Sequence, residues 1–154
     1  MTSLAKTLTT LVLVLSFPLV ASAHIIFTLR FTPSTLIVTR AGLYKIDVEV
    51  FPQFGNTGLK LSVDPASLPP NQSVKAFFIP PGAFFQSATQ TKKLKLYVLV
   101  LPSASAGWVR QLDLDITQYY PPQGSDTHKI GGPVLQISPF FDPAPLEPGD
   151  EELR

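Results

Sequence analysis

The sequence has no cysteine among its 154 residues. That excludes disulfides, thiolate zinc sites, iron–sulfur clusters and cysteine nucleophiles. There is no Gly-x-Ser-x-Gly elbow and no glycine-rich phosphate loop, so neither an esterase-type serine nor a nucleotide cradle is indicated. No stretch combines caps with a 3.6-residue apolar period, so helices are not expected. Twelve Lys and Arg stand against eleven Asp and Glu, which leaves no surplus of positive charge for nucleic acid or an anionic membrane surface. Two histidines are too few to make a metal site the default. No catalytic residue, metal site or cofactor is therefore assigned, and the chain reads as a non-enzyme.

What is present begins with residues 1–23. Lys6 is their only charge, Leu11–Val20 is apolar, and Ala21-Ser22-Ala23 has the small-x-small form of a cleavage site. The apolar run is too short to span a bilayer, so the segment reads as a secretory signal peptide and the protein as secreted, at the cell surface or beyond. The mature chain, His24–Arg154, has no net charge and no membrane span of its own. Its charge is uneven: residues 24–141 carry +4, and residues 142–154 carry −4 in a proline-rich tail. Asn71-Gln72-Ser73 matches the N-glycosylation sequon, making Asn71 a candidate acceptor.

Between these ends the apolar residues alternate. Ile25, Phe27, Leu29 and Phe31 form one face of a first strand. Thr35–Thr39 is a short second one, and Arg40-Ala41-Gly42 reads as a turn. Tyr44, Ile46, Val48 and Val50 point inward from Leu43–Phe51, with Lys45, Asp47 and Glu49 outward. Leu59–Val63 and Val74–Ile79 are shorter strands, while Ala83–Gln90 is ambiguous and brings Phe84 and Phe85 to one end of the core. Leu94, Leu96, Val98 and Val100 line a long strand. Pro102–Gly107 joins it to Trp108–Ile116 in what reads as a hairpin-like unit. After Pro121-Pro122 only Pro133–Ser138 reads as a strand. Period-two alternation marks half-buried strands, and several short ones separated by turns indicate a β-sandwich at 24–141, ahead of a barrel.

The segments Leu59–Val63, Leu68-Pro69-Pro70, Phe78–Gly82, Leu94–Leu101 and Ser103–Trp108 leading into Leu112–Ile116, with Ala41–Val50 upstream, resemble the immunoglobulin-like domains of prokaryotic secreted and surface proteins. The resemblance implies an antiparallel immunoglobulin-like sandwich of seven to eight strands used for adhesion, spacing or assembly, with no catalytic residues. One departure is that Leu112, Leu114 and Ile116 extrapolate back to an inward Arg110. A bulge near Val109–Gln111 is expected to correct this.

The remaining constellations have plain readings. The pairs Asp47/Glu49 and Asp113/Asp115 belong to solvated faces, and Lys93 and Lys95 are expected across from Asp47 and Glu49 on a neighbouring strand. His24, as a new N-terminus, could chelate copper with His128 and an axial Tyr119 or Tyr120. Aromatic residues such as Trp108 and Tyr119 could stack on sugars. The most suggestive feature is the opening strand, Ile25, Phe27, Leu29 and Phe31. Such a strand could complete the sheet of the next subunit and build a filament or surface layer. The expected function is thus a secreted structural or adhesive module with protein subunits or surface components as partners. The alternatives are a carbohydrate-binding module and a copper-binding protein.

Overall fold

A computed structural model describes residues 24–145. Residues 1–23, which the sequence reads as a signal peptide, and 146–154 of the acidic tail lie outside the described residues. The eight strands are β1 (Phe27–Thr32), β2 (Thr35–Pro52), β3 (Thr57–Val63), β4 (Val74–Ile79), β5 (Gly82–Phe85), β6 (Lys92–Val100), β7 (Val109–Tyr120) and β8 (Gly124–Pro145). A 3-10 turn, Pro65–Ser67, is capped by Asp64, whose carboxylate accepts from the Ala66 amide. The strands make one mixed sheet in the order β4-β6-β2-β8-β7-β3-β5, with β1 beside β2, curled into a nearly closed barrel.

The sheet is mixed because β2 does not turn at Arg40-Ala41-Gly42, as the sequence suggests. It runs on through the corner. Thr35–Val38 pairs in parallel with Val134–Ile137 of β8, and register shifts flank Arg40. Beyond the corner, Gly42–Val50 pairs antiparallel with Lys92–Val100 of β6. The Tyr44 hydroxyl donates to the Arg40 carbonyl at 2.7 Å and braces the bend. One strand thereby serves two sets of neighbours, β8, β7, β3 and β5 before the corner and β1, β6 and β4 after it. The expectation of a wholly antiparallel sheet is corrected by that parallel pairing.

The alternating sets behave as their period requires. Tyr44, Ile46, Val48 and Val50 of β2 and Leu94, Leu96, Val98 and Val100 of β6 are all at most 5% exposed. They face Leu59, Leu61, Leu112, Leu114, Ile116, Leu135 and Ile137 in a single core. Phe85 is fully buried at one end of it, whereas its neighbour Phe84 stands out in solvent. Gly82 lets β5 start against β3, since a Cβ there would strike the Leu59 carbonyl oxygen.

β6 and β7 do not form a hairpin. β6 lies between β2 and β4, and β7 between β3 and β8. Residues 101–108 cross from one set of strands to the other. Gly107, at φ +81°, donates its amide to the Ile137 carbonyl at 3.0 Å as the chain enters β7. The hairpin partner of β7 is instead β8, which is far longer than the expected Pro133–Ser138 and extends through Asp142 to Pro145.

The register shift also lies elsewhere than expected. Gln111 faces Val134 but Asp113 faces Gly131, so Gly132 and Pro133 of β8 together oppose Leu112. This bulge reverses the parity of β8: Ile130 and Gly132 point inward before it, and Leu135 and Ile137 after it. Arg110 stays opposite Leu135. It lies at the end of β7, where its guanidinium reaches out to the Ala66 carbonyl at 3.1 Å and to Asp113 at 3.7 Å. The open end of the barrel, rather than a bulge in β7, spares it from burial.

Candidate functional site

The inward series on β7 is Leu112, Leu114, Ile116 and then Gln118, which is fully buried. A buried amide must have partners, and Gln118 finds them on the N-terminal segment. Its Oε1 accepts from the Ile26 amide at 2.7 Å, and its Nε2 donates to the His24 carbonyl at 3.2 Å. The side chain acts as one peptide group laid along the free edge of the chain just ahead of β1. Nε2 also donates to Asp126 Oδ1 at 3.0 Å. Asp126 is the cross-strand neighbour of Gln118 on β8, so the hairpin itself sets the amide's orientation.

The second oxygen of Asp126 accepts from the Tyr120 hydroxyl at 3.0 Å, and His128 Nε2 stands 3.1 Å from it. Burial pushes the Asp126 carboxyl up, but the hydrogen bond from Gln118, the nearby His128 imidazole and the hydrogen bond from Tyr120 together hold it below the usual carboxylate range. Tyr120 is raised, first by its hydrogen bond to Asp126 and then by burial. The His128 Nε2 is buried, does not line up on Asp126 as a hydrogen bond, and has no other partner among the described residues.

β1 sits against this cluster. It pairs with β2 from Phe27↔Pro52 to Thr32↔Asp47. Of the proposed assembly residues, Phe27 alone is buried, at 5% exposure, with its ring 5.6 Å from that of Phe85. Ile25, Leu29 and Phe31 are half-buried. On the outer side Arg30 binds Glu49 at 2.6 Å. In front of β1 lies an open cleft of about 540 Å³. Its lining includes His24, Phe54, Asn56, Tyr120, Gln123 and Asp126.

The remaining candidates are scattered. The His24 ring bonds Gln53 at 3.2 Å, and His128 Nε2 stands 3.1 Å from Asp126. Among the described residues no three His, Asp or Glu side chains are grouped to hold a metal. Each carboxylate of the two i,i+2 pairs has a cation: Asp47 has Lys95, Glu49 has Arg30, Asp113 has Arg110 and Asp115 has Lys129. β2 and β6 are neighbours as the sequence suggested, but the partners are exchanged: Asp47 stands opposite Lys95 and Glu49 opposite Lys93, where the sequence sets Lys95 against Glu49. Trp108 is half-buried against the core, and Tyr119 is 41% exposed. Asn71 is exposed, but its Nδ2 already donates to the Ser103 carbonyl at 3.0 Å, and Ser73 of the sequon is fully buried.

Gln118 and Asp126 escaped the sequence reading. Gln118 was detectable: it occupies the fourth slot of an inward series, and a polar residue at an inward position signals a partner. Asp126 gave no such sign, because β8 was not visible there as a strand.

No protein-family model matches the chain, and no curated protein matches it in sequence. Among solved structures it is similar to Bacteroides thetaiotamicron EndoBT-3987 with Man5GlcNAc product, at 11% identity and a TM-score of 0.43, over 72% of this chain and 30% of that one. It is also similar to the Vibrio cholerae VesB protease, at 11% identity and 0.39, over 68% and 29%. The third is the secreted serine protease VesC of Vibrio cholerae, at 12% and 0.36, over 67% and 21%. The chain thus spans less than a third of each of these proteins, and the likenesses are those of distant β-rich folds. No helix among the described residues is long and apolar enough to cross a membrane.

Proposed function

We propose that this protein is a secreted, immunoglobulin-like structural or adhesive surface module, without enzymatic activity, whose subunits join by exchange of β1. The immunoglobulin-like reading draws support from the switch of β2 between a parallel pairing with β8 and an antiparallel pairing with β6. That switch lets an opening strand serve both faces of a sandwich. Export rests on the signal-peptide pattern of residues 1–23.

The observation that supports exchange is the way β1 is held. It buries one side chain fully, Phe27, and just ahead of it the free edge is bound by the side chain of Gln118 instead of by another strand. An incoming strand of the same sequence would meet the same ladder on β2, the same slot beside Phe85 and the same amide. Electron microscopy and light scattering of the mature chain over a range of concentrations test this. Filaments or oligomers are expected, with loss of assembly on deletion of His24–Phe31 and capping of that variant by a peptide of residues 24–32. A chain that stays monomeric at every concentration overturns the reading.

A second reading, binding of a glycan, is favoured by the exposed ring of Phe54 beside amides and a carboxylate in the cleft. Against it, the carboxylate of Asp126 is already bonded on both oxygens. A glycan array with the native chain and Phe54→Ala separates the two.

A further inference from the structure

The outer face of β2, β6 and β4 is more apolar than a solvated face needs to be. Its rows are set by the register: Leu43–Leu99–Lys75, Lys45–Tyr97–Phe77 and Asp47–Lys95–Ile79. Leu43, Phe77 and Ile79 are 42%, 44% and 53% exposed. Phe77 packs nearly parallel on Tyr97, with ring centroids 5.7 Å apart and 18° between the planes. The exposure of Phe77 is what remains beyond that contact, so ring surface is open to solvent. Contiguous apolar surface of this kind, rimmed by polar groups, marks an interaction site.

Lysines frame the aromatic pair on three sides. Lys45 flanks Tyr97 from β2, Lys75 stands two residues before Phe77 on β4, and Lys95 two residues before Tyr97 on β6. All three are exposed. Lys45 and Lys75 are in no ion pair among the described residues, whereas the carboxylates of the face, Asp47 and Glu49, are already engaged by Lys95 and Arg30. The open charge on this face is therefore positive. Its occupant carries negative charge beside a surface that can lie against an aromatic ring.

The geometry narrows the class of occupant. A second copy of the face would set lysines against lysines. An acidic polypeptide would lie across side chains only, because the strands of the patch are paired to one another, and its main-chain groups would find no ladder. An anionic bilayer needs apolar side chains that protrude into it, whereas here they lie level in mid-strand among lysines and Asp47. A saccharide has neither need. The C–H face of a sugar ring stacks on an aromatic ring while its hydroxyls stay in water, and carboxylates on the sugar meet ammonium groups. We infer that the outer face of β2, β6 and β4 binds an acidic polysaccharide, with a ring seated on Phe77 and uronate-type carboxylates held by Lys45 and Lys75. The site is separate from strand exchange, since β1 pairs on the opposite edge of β2. It is separate from the cleft in front of β1 too, because none of these residues lines that cleft.

Calorimetric titration of the mature chain with oligogalacturonate and with hyaluronan fragments tests this, against uncharged cello-oligosaccharides, poly-glutamate and phosphatidylserine vesicles. At least one of the two uronate ligands should bind, and more tightly than every comparison probe. Its affinity should fall about tenfold in roughly 0.5 M salt, and likewise in Lys45→Gln/Lys75→Gln. Phe77→Ala should weaken it about tenfold and Phe77→Trp should restore it. These side chains are exposed, so the variants should melt as the native chain does. Phe54→Ala, in the cleft, should leave binding unchanged. Failure of both uronate ligands to bind overturns the inference. Equal or tighter binding of poly-glutamate or of vesicles overturns it by giving the face to a polypeptide or a membrane. Loss on Phe54→Ala instead of Phe77→Ala overturns it by moving the site to the cleft.

Discussion

β1 and β6 flank the same stretch of β2, yet they are held differently. Both pair with Asp47–Val50, one on each side. Both alternate apolar and polar residues in sequence. In β6 all four inward apolar side chains, Leu94, Leu96, Val98 and Val100, are 0–1% exposed, because β4 covers the other edge and the core lies beneath the whole length. In β1 only Phe27 is buried, and the edge is left to a side-chain amide. Alternation therefore says which way a strand faces, whereas depth depends on what closes its other edge. β6 belongs to the barrel's framework; β1 is an attachment to it.

Truncation should expose this difference most strongly. Leu96→Ala removes a fully buried side chain from the centre of the sheet and should cost about 2–5 kcal/mol, read as a lower denaturant midpoint. Phe27→Ala should cost about 1.5–3 kcal/mol, close to the transfer value of the ring alone, because a strand paired on one edge can settle into the gap. Equal costs would mean that β1 is as integral as β6. Gln118→Leu keeps the volume but strands the Ile26 amide and the His24 carbonyl, for about 1–3 kcal/mol. The loss should show as faster amide exchange at Ile26 and not at β6.

Acidification probes the same attachment. Asp126 is depressed in the fold, so its contribution is full above the ordinary carboxylate value and disappears as pH falls through its lowered one. Asp64, lowered first by the hydrogen bond from Lys129, loses its contribution in the same direction. Tyr120, being raised, contributes fully below the ordinary tyrosine value and loses this as pH rises through its own. Stability should therefore fall in strong acid, and Asp126→Asn should flatten part of that fall, as pH-dependent thermal melts would record. The smallest effect belongs to the outer face of β2 and β6. Lys95→Glu should cost under about 1 kcal/mol and be recovered by Asp47→Lys, since this is an exposed pair at 3.9 Å. Additive effects in the double variant would deny the pairing.

Much of the sheet was legible because its inward residues keep a strict period of two: Tyr44 to Val50, Leu94 to Val100 and Leu112 to Ile116 are all core. β8 was not, for two reasons. The bulge at Gly132-Pro133 reverses its parity midway, and its first half turns Asp126 and His128 inward to serve Gln118 and the edge of β1. Polar residues on an inward face look like loop in a sequence. The hairpin expected from β6 to β7 failed because adjacency in sequence does not reveal that residues 101–108 pass from one set of strands to the other. Of the site, β1 was visible and its hold on β7 was not, since Gln118 acts through the backbone of residues 92 and 94 positions away.

Residue-level hydrogen exchange under native conditions tests most directly whether β1 is detachable. The β1 amides paired to β2 should exchange through a local opening at least tenfold more often than the β6 amides paired to the same residues of β2. Identical protection on both sides of β2, tracking global unfolding, would contradict it.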